Sequence, residues 1–342
     1  MNKLVSMLVV ATAACAANAP AADTLPVVTG GRVVAEADGS YRFGWPAIYF
    51  EGWFEGTAVS VSIETQTELF RLLVDDAERA RLGPGQLSAI VQGLAPGRHV
   101  VRLEKLTESQ DGESRFRGFR IVGRGSALAP QEKRHAIEFI GDSHSVGYGD
   151  TATKRECTRP EVHDTTDTQQ AFGPIVARRL GADYRVNAFS GFGIVRNYAG
   201  GAPGDSMVLR YARAIPGQGQ AASDKGWKPE WIVINLGTND FSTKLHAGEK
   251  WADNAALRAD YRATYAAFVR SLMATQPQAR FVLMGADAFY GDVQQVAIAL
   301  ATPERVRTLH TPALELTACD WHPSLKDQQV MAEAVLKVIR KR

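Results

Sequence analysis

Cysteine is scarce in this chain: three in 342 residues, at Cys15, Cys157 and Cys319. None of them has a matching base by pattern, so catalytic thiol chemistry is not indicated. Excess charge of one sign is also missing. Thirty-nine Lys and Arg balance 37 Asp and Glu, giving a net charge of +2, and without a long basic run nothing points to a nucleic-acid partner. Beyond the N-terminal leader no apolar stretch reaches 18 residues, which argues against a membrane-spanning helix. What remains is 45% hydrophobic and 22% charged. That is a globular composition with ample core, long enough for two domains.

The N-terminus reads as an export signal over residues 1–21. Lys3 supplies the positive start, Leu4 to Ala17 a short apolar region, and Ala19-Pro20-Ala21 a small-residue cleavage site. The expected location is therefore periplasmic or secreted. Thr12-Ala13-Ala14-Cys15 offers an alternative, a lipoprotein anchored through Cys15, although Leu is usual where Thr12 stands. Cleavage near Ala21 leaves Cys157 and Cys319, and two cysteines in an exported protein suggest one disulfide. The alternative is two unpaired thiols.

Two patterns divide the mature chain. From Leu25 to Gly125 short alternating runs dominate, such as Ala58-Val59-Ser60-Val61-Ser62-Ile63 and His99-Val100-Val101-Arg102-Leu103-Glu104. Gly and Pro interrupt them, as in Leu94-Ala95-Pro96-Gly97. This predicts an all-β, antiparallel jelly-roll sandwich over residues 25–125, followed by a linker over 126–133. From residue 134 to 342 strands alternate with helices. Apolar runs at Ala136–Ile140, Tyr184–Val186, Trp231–Leu236 and Arg280–Met284 read as strands. Gln169–Leu180, Trp251–Ala274 and Leu325–Arg342 read as helices, the last capped by Ser324. Alternating β and α predict a three-layer α/β sandwich around a mostly parallel sheet.

Four short blocks in the second part carry chemistry. Gly141-Asp142-Ser143 follows the first strand, where a sharp turn would lift a serine hydroxyl clear of the sheet. Ser190-Gly191-Phe192-Gly193 follows the second strand, Gly237-Thr238-Asn239-Asp240 the third, and Asp320-Trp321-His322-Pro323 precedes the last helix. Each alone could be a plain turn. Together they line the carboxyl edge of an α/β sheet, where sites assemble.

In that order the four blocks resemble the SGNH (GDSL-like) hydrolase superfamily, over roughly Ala136 to Arg342. The resemblance implies that Ser143 is the nucleophile and His322 the general base. Gly191 (backbone N–H), Asn239 (side-chain amide) and the Ser143 N–H would donate to the oxyanion. The superfamily usually places an Asp three residues before the histidine. Here Cys319 stands there, so Asp320, two residues before, is expected to orient the imidazole, with a backbone carbonyl as the alternative acceptor.

Phe43-Gly44-Trp45-Pro46 and Phe54-Glu55-Gly56-Thr57, leading into such a hydrolase domain, resemble carbohydrate esterase family two. So do Ser190–Asn197 and Asp320–Pro323. That resemblance implies a secreted polysaccharide O-acetyl esterase acting on xylan or glucomannan through an acetyl-enzyme on Ser143, without a metal or other cofactor. His144, His163 and Asp164 lie near the site in sequence but show no ligand spacing. Trp321, Tyr148 and Phe192 flank the blocks and are expected to give aromatic faces to the sugar. The partner is then acetylated polysaccharide or oligosaccharide, with a monomer assumed. Two other readings stay open: a lipolytic esterase or thioesterase of the same superfamily, and a carbohydrate-binding protein with an idle esterase fold.

Overall fold

A computed structural model of the chain describes residues 24–131, 135–223 and 226–341. The expected leader and Cys15 lie outside the described residues. Alternating sequence builds strands in the N-terminal part because successive side chains leave a strand on opposite faces. Nine strands result: β1 (Val27–Gly30), β2 (Val34–Ala35), β3 (Tyr41–Phe43), β4 (Tyr49–Glu64), β5 (Phe70–Val74), β6 (Ala77–Leu82), β7 (Ser88–Lys105), β8 (Ser114–Ile121) and β9 (Gly125–Leu128). They pair antiparallel in the order β2-β3-β8-β4-β7-β5-β6, with β1 and β9 also on β4. The register of β4 slips at Gly56/Ala58 against β7 and at Ser62/Ile63 against β8. Such irregularities bend and twist a long strand, letting one strand serve several neighbours. Phe50 and Phe116 stack at 4.1 Å inside, and Trp45 and Trp53 are buried as well. Ser126 to Leu128, expected to begin the linker, instead pair with Glu55 to Trp53 of β4 and complete the sheet.

The C-terminal part holds five parallel strands: β10 (His135–Gly141), β11 (Ala182–Ala188), β12 (Trp231–Asn235), β13 (Arg280–Gly285) and β14 (Val306–His310). Their helices are α1 (Ser143–Val146), α2 (Arg159–Asp164), α3 (Phe172–Arg179), α4 (Met207–Tyr211), α5 (Thr238–Phe241), α6 (Asn254–Thr275), α7 (Tyr290–Leu300) and α8 (Leu325–Arg340). The strands are apolar on both faces because both faces are covered. Ile137, Phe139, Val233 and Val282 pack with Val176 of α3 and Val335 of α8. Ile140, Ile232, Ile234 and Leu283 pack with Tyr265 of α6 and Val293 of α7. The helix expected from Gln169 starts later: Thr168–Gln170 form a single 3₁₀ turn, and α3 begins at Phe172. Ser324 caps α8 in a capping box with Asp327.

Strand order is β11-β10-β12-β13-β14. The chain leaves β10 to one side for β11 and returns to the other side for β12. The carboxyl end of β10 is thus the topological switch point, the place where such sheets open a crevice.

The two domains meet through buried polar groups. Thr168 N–H donates to the Leu106 carbonyl at 2.8 Å. Ala47 N–H donates to Thr168 Oγ1 at 2.9 Å. Arg102 lies over the Tyr49 ring at 3.7 Å and donates to the Tyr184 hydroxyl at 2.8 Å. Buried hydrogen bonds of this kind fix orientation, because an unpaired partner costs about 1–3 kcal/mol.

Candidate active site

β10 delivers Ser143 to the switch point. A Cβ at Gly141 would lie 2.0 Å from Ser145 Oγ, so the turn requires glycine there. Asp142 then caps α1, accepting from the His144 N–H at 3.1 Å. Ser143 is the first residue of that helix and is 6% exposed. Among the described residues its N–H meets no acceptor.

His322 stands against it. Its Nε2 lies 2.9 Å from Ser143 Oγ. Its Nδ1 faces two main-chain oxygens, of Cys319 at 3.0 Å and of Asp320 at 3.1 Å. The expectation that the Asp320 carboxylate orients the imidazole is therefore corrected; the acceptors are carbonyls. The reason is local. Asp320 and Trp321 both have left-handed backbone, φ 50° and 57°, which turns the carbonyls inward. The Asp320 carboxylate instead accepts from the Tyr148 hydroxyl at 3.1 Å. Burial lowers the His322 pKa, opposed by the two carbonyls. His144 lies edge-on at 5.5 Å, and burial, with the neighbouring His322, pushes its pKa down to about 3.

The turn that carries His322 is anchored from outside. Cys157 and Cys319 are joined, S–S 2.04 Å. The Asp320 N–H donates to the Arg155 carbonyl at 2.6 Å. The Arg155 guanidinium donates to the carbonyls of Leu316 at 2.8 Å and Glu315 at 3.0 Å.

Opposite lies the turn after β11. Gly191 has φ 84°, a conformation that favours glycine, and among the described residues its N–H meets no acceptor. Asn239 comes from the start of α5; its amide nitrogen donates to the Phe192 carbonyl at 3.0 Å and to Asp142 Oδ2 at 3.3 Å. The next residue, Asp240, is wholly buried. Its carboxylate accepts three consecutive N–H groups, of Ile194 at 3.0 Å, Val195 at 2.9 Å and Arg196 at 3.0 Å. Arg196 then donates to both oxygens of Glu249, at 2.6 and 2.9 Å. Burial raises Asp240 to about 6 despite those bonds, and raises Asp142 to about 7.

The aromatic expectations divide. Trp321 is 56% exposed beside the imidazole. Tyr148 is half-buried with its ring 4.4 Å from that of His322. Phe192 packs edge-on to Phe189 at 4.6 Å beneath the Arg210 guanidinium, so much of its face is already covered. A cavity of about 750 Å³ lies beyond the turn, lined by Ile194, Asn197, Leu209 and Trp251 among others, and neither Ser143 nor His322 lines it. His163 pairs with Asp164 at 3.1 Å. Among the described residues no group of three His, Cys, Asp or Glu could hold a metal ion, and no helix is long and apolar enough to cross a membrane.

Sequence reading missed Asp240 as the clamp of the Gly191 turn, and Glu108, a residue of the first domain whose carboxylate accepts the Ser190 N–H at 2.8 Å. Asp240 had a signal in its place next to Asn239. Glu108 had none, being 82 residues from its partner.

The chain matches two families: Carbohydrate esterase 2 N-terminal over residues 29–130 and GDSL-like Lipase/Acylhydrolase over residues 137–335. It is also 42% identical over 323 residues to an acetylxylan esterase / glucomannan deacetylase of Cellvibrio japonicus, covering 91% of this chain and 90% of that one. The chain belongs to carbohydrate esterase family two. Among solved structures, a carbohydrate esterase whose active site displays divergent catalytic and non-catalytic binding functions superposes with a TM-score of 0.86 at 40% identity, covering 93% and 98% of the two chains. A family two carbohydrate esterase from Clostridium thermocellum in complex with cellohexaose superposes at 0.80 with 29% identity, over 92% and 98%. The family two chain also aligns with the cellulase/esterase CelE of Acetivibrio thermocellus, at 30% identity over 94% of its length but only 40% of that protein's. The two-domain architecture, an antiparallel sheet followed by a parallel one, is that of these esterases.

Proposed function

We propose that this esterase removes O-acetyl groups from plant polysaccharide, xylan or glucomannan, through an acetyl-enzyme on Ser143. The observation that carries the chemistry is the 2.9 Å contact between Ser143 Oγ and His322 Nε2, together with N–H groups of Ser143 and Gly191 that meet no acceptor among the described residues. His322 takes the Ser143 proton as the hydroxyl attacks the ester carbonyl. The Ser143 and Gly191 N–H groups hold the oxyanion, and the Asn239 amide joins them by exchanging its 3.3 Å bond to Asp142. His322 then protonates the departing sugar hydroxyl, and a water deprotonated by His322 releases acetate. Two carbonyls in place of a carboxylate at Nδ1 favour the tautomer with the proton there, and the Asp320 carboxylate acts on the imidazolium only through space.

The substrate class rests on the likeness to the acetylxylan esterase / glucomannan deacetylase. Trp321, by its exposure beside the base, is the aromatic best disposed to meet a sugar ring, and Tyr148 and Phe192 border the same crevice. The same reading takes the first domain as a jelly-roll sandwich, supported by the bent strand β4 with its four neighbours, and the second as a three-layer sandwich, supported by helices packed on both faces of the parallel sheet. Export to the periplasm or medium agrees with the Cys157–Cys319 bond.

Acetate release from acetylated xylan and acetylated glucomannan tests the reading, alongside nitrophenyl esters of increasing chain length. The expected result is release from the polysaccharides, a steep fall beyond short acyl chains, and loss of about 10⁴-fold or more in kcat for Ser143→Ala. Preference for long acyl chains, or turnover that survives in Ser143→Ala, would reject it.

A further inference from the structure

The peptide immediately before the one that carries the Gly191 N–H is held from the other domain. Glu108 follows the end of β7, and the segment leading to it is fixed along its length. Lys105 is fully buried and pairs with buried Glu68 at 2.9 Å. Thr107 donates to Glu68 at 2.9 Å while accepting the Leu69 N–H at 3.0 Å. The Leu106 carbonyl accepts from Thr168 of the second domain. The half-buried Glu108 side chain leaves this clamped segment and accepts the Ser190 N–H at 2.8 Å.

Ser190 immediately precedes Gly191. At φ 84° the peptide between them could rotate were its neighbour free. Beyond it, Tyr198 N–H donates to the Gly191 carbonyl at 2.8 Å, and Asp240 holds residues 194 to 196. Those bonds fix the turn downstream of Gly191. Upstream, the Phe189 N–H bonds the Gly141 carbonyl at 3.1 Å, and the Ser190 N–H is held by Glu108.

We propose that Glu108 is a positioning residue for the oxyanion site: through Ser190 it aims the Gly191 N–H, so that the first domain completes the catalytic apparatus of the second. The inference rests on the assignment of Gly191 to the oxyanion. A full negative charge here would oppose the oxyanion. Burial raises the Glu108 pKa against the lowering effect of the Ser190 bond, and a neutral acceptor serves as well as a charged one. The role needs an acceptor of this length, not a charge.

The test is kcat and KM for acetyl ester hydrolysis by Glu108→Ala, Glu108→Asp and Glu108→Gln in the full chain, with melting temperatures. Misplacing a donor costs up to about 10²-fold. Glu108→Ala and Glu108→Asp, which removes one methylene of reach, should lose about 10- to 100-fold in kcat with KM nearly unchanged. Glu108→Gln, which keeps an acceptor at the same length, should recover kcat to within about fivefold of wild type. Should Glu108→Ala not fold, the Asp and Gln variants decide. Unchanged kcat in the shortened variants overturns the role, as does a rise in KM alone, which would make Glu108 a substrate contact. A Gln variant as impaired as the Ala variant overturns it too. Asn239→Ala in the same assay tests the oxyanion assignment separately: if that variant keeps its kcat, the assignment fails, whereas a damaged Asn239→Ala beside an undamaged Glu108→Ala removes only Glu108.

Discussion

The Gly191 side of the crevice, proposed to hold the oxyanion, and the histidine side are held by different means. On the first, side-chain carboxylates accept backbone N–H groups: Asp240 takes three and Glu108 one. On the second, main-chain carbonyls face the imidazole, and the turn that presents them is tied by a covalent bond and by Arg155. The contrast follows from what each side must do. Donors for an anion must be aimed in advance and must not move, because their worth lies in costing no reorganisation at the moment of reaction. A base must only keep one tautomer and stay within reach of the serine, which a neutral acceptor can ensure.

The largest effect that would sharpen this contrast is on the oxyanion side. Asn239→Ala should lower kcat by about 10²–10³ with little change in KM, since the donor acts in the transition state. A loss confined to KM would make Asn239 a ground-state contact. Next comes the covalent anchor. The Cys157–Cys319 bond spans 162 residues; its removal by Cys157→Ser should cost about 2–5 kcal/mol of stability, read in denaturant titrations, and should slacken the base turn. Equal stability with and without the bond would show that Arg155 and the backbone hold the turn alone.

Smaller still is the expected effect of Asp320→Asn. Asparagine tolerates the left-handed backbone, and the carbonyl facing Nδ1 remains. The change removes the acceptor of the Tyr148 bond and a charge that acts on His322 only through space, so kcat should fall by no more than about threefold. A loss of several orders of magnitude would restore a carboxylate to the triad. The last expectation concerns pH. In the proposed mechanism His322 works as neutral imidazole, so activity is lost as pH falls through its pKa. Burial holds that pKa below the ordinary 6.5, and the acid limb of kcat/KM should lie below that value. An acid limb above it would mean that the Asp320 charge and the carbonyls outweigh burial at His322.

How much of this was legible in the sequence varied with distance along the chain. Parallel strands buried on both faces announce themselves as apolar runs, so β10, β11, β12 and β13 fell where the runs did. The half-exposed edge strand β14 and the helix α7 before it offered no comparable signal. Ser143, Gly191, Asn239 and His322 were named because each sits in a local motif at a strand end or before a helix, and the fold brings Ser143 and His322 to hydrogen-bond distance. Asp320 was placed in the right turn with the wrong atom, because a left-handed φ at two non-glycine residues leaves no mark in composition. Glu108 was illegible, because contact between distant residues depends on how two domains dock. Ser126 to Leu128 passed as a linker for a similar reason: a short edge strand needs a partner to be a strand.

The carbonyls that face His322 belong to the shape of the chain rather than to its alphabet. At position 320 a codon change can alter the side chain, yet it leaves the acceptor oxygens where the left-handed turn puts them. Heritable loss of that function is therefore narrow: it requires residues that refuse positive φ at Asp320 and Trp321, such as proline or the β-branched side chains. The His322 imidazole is supported by a part that most substitutions at Asp320 cannot delete.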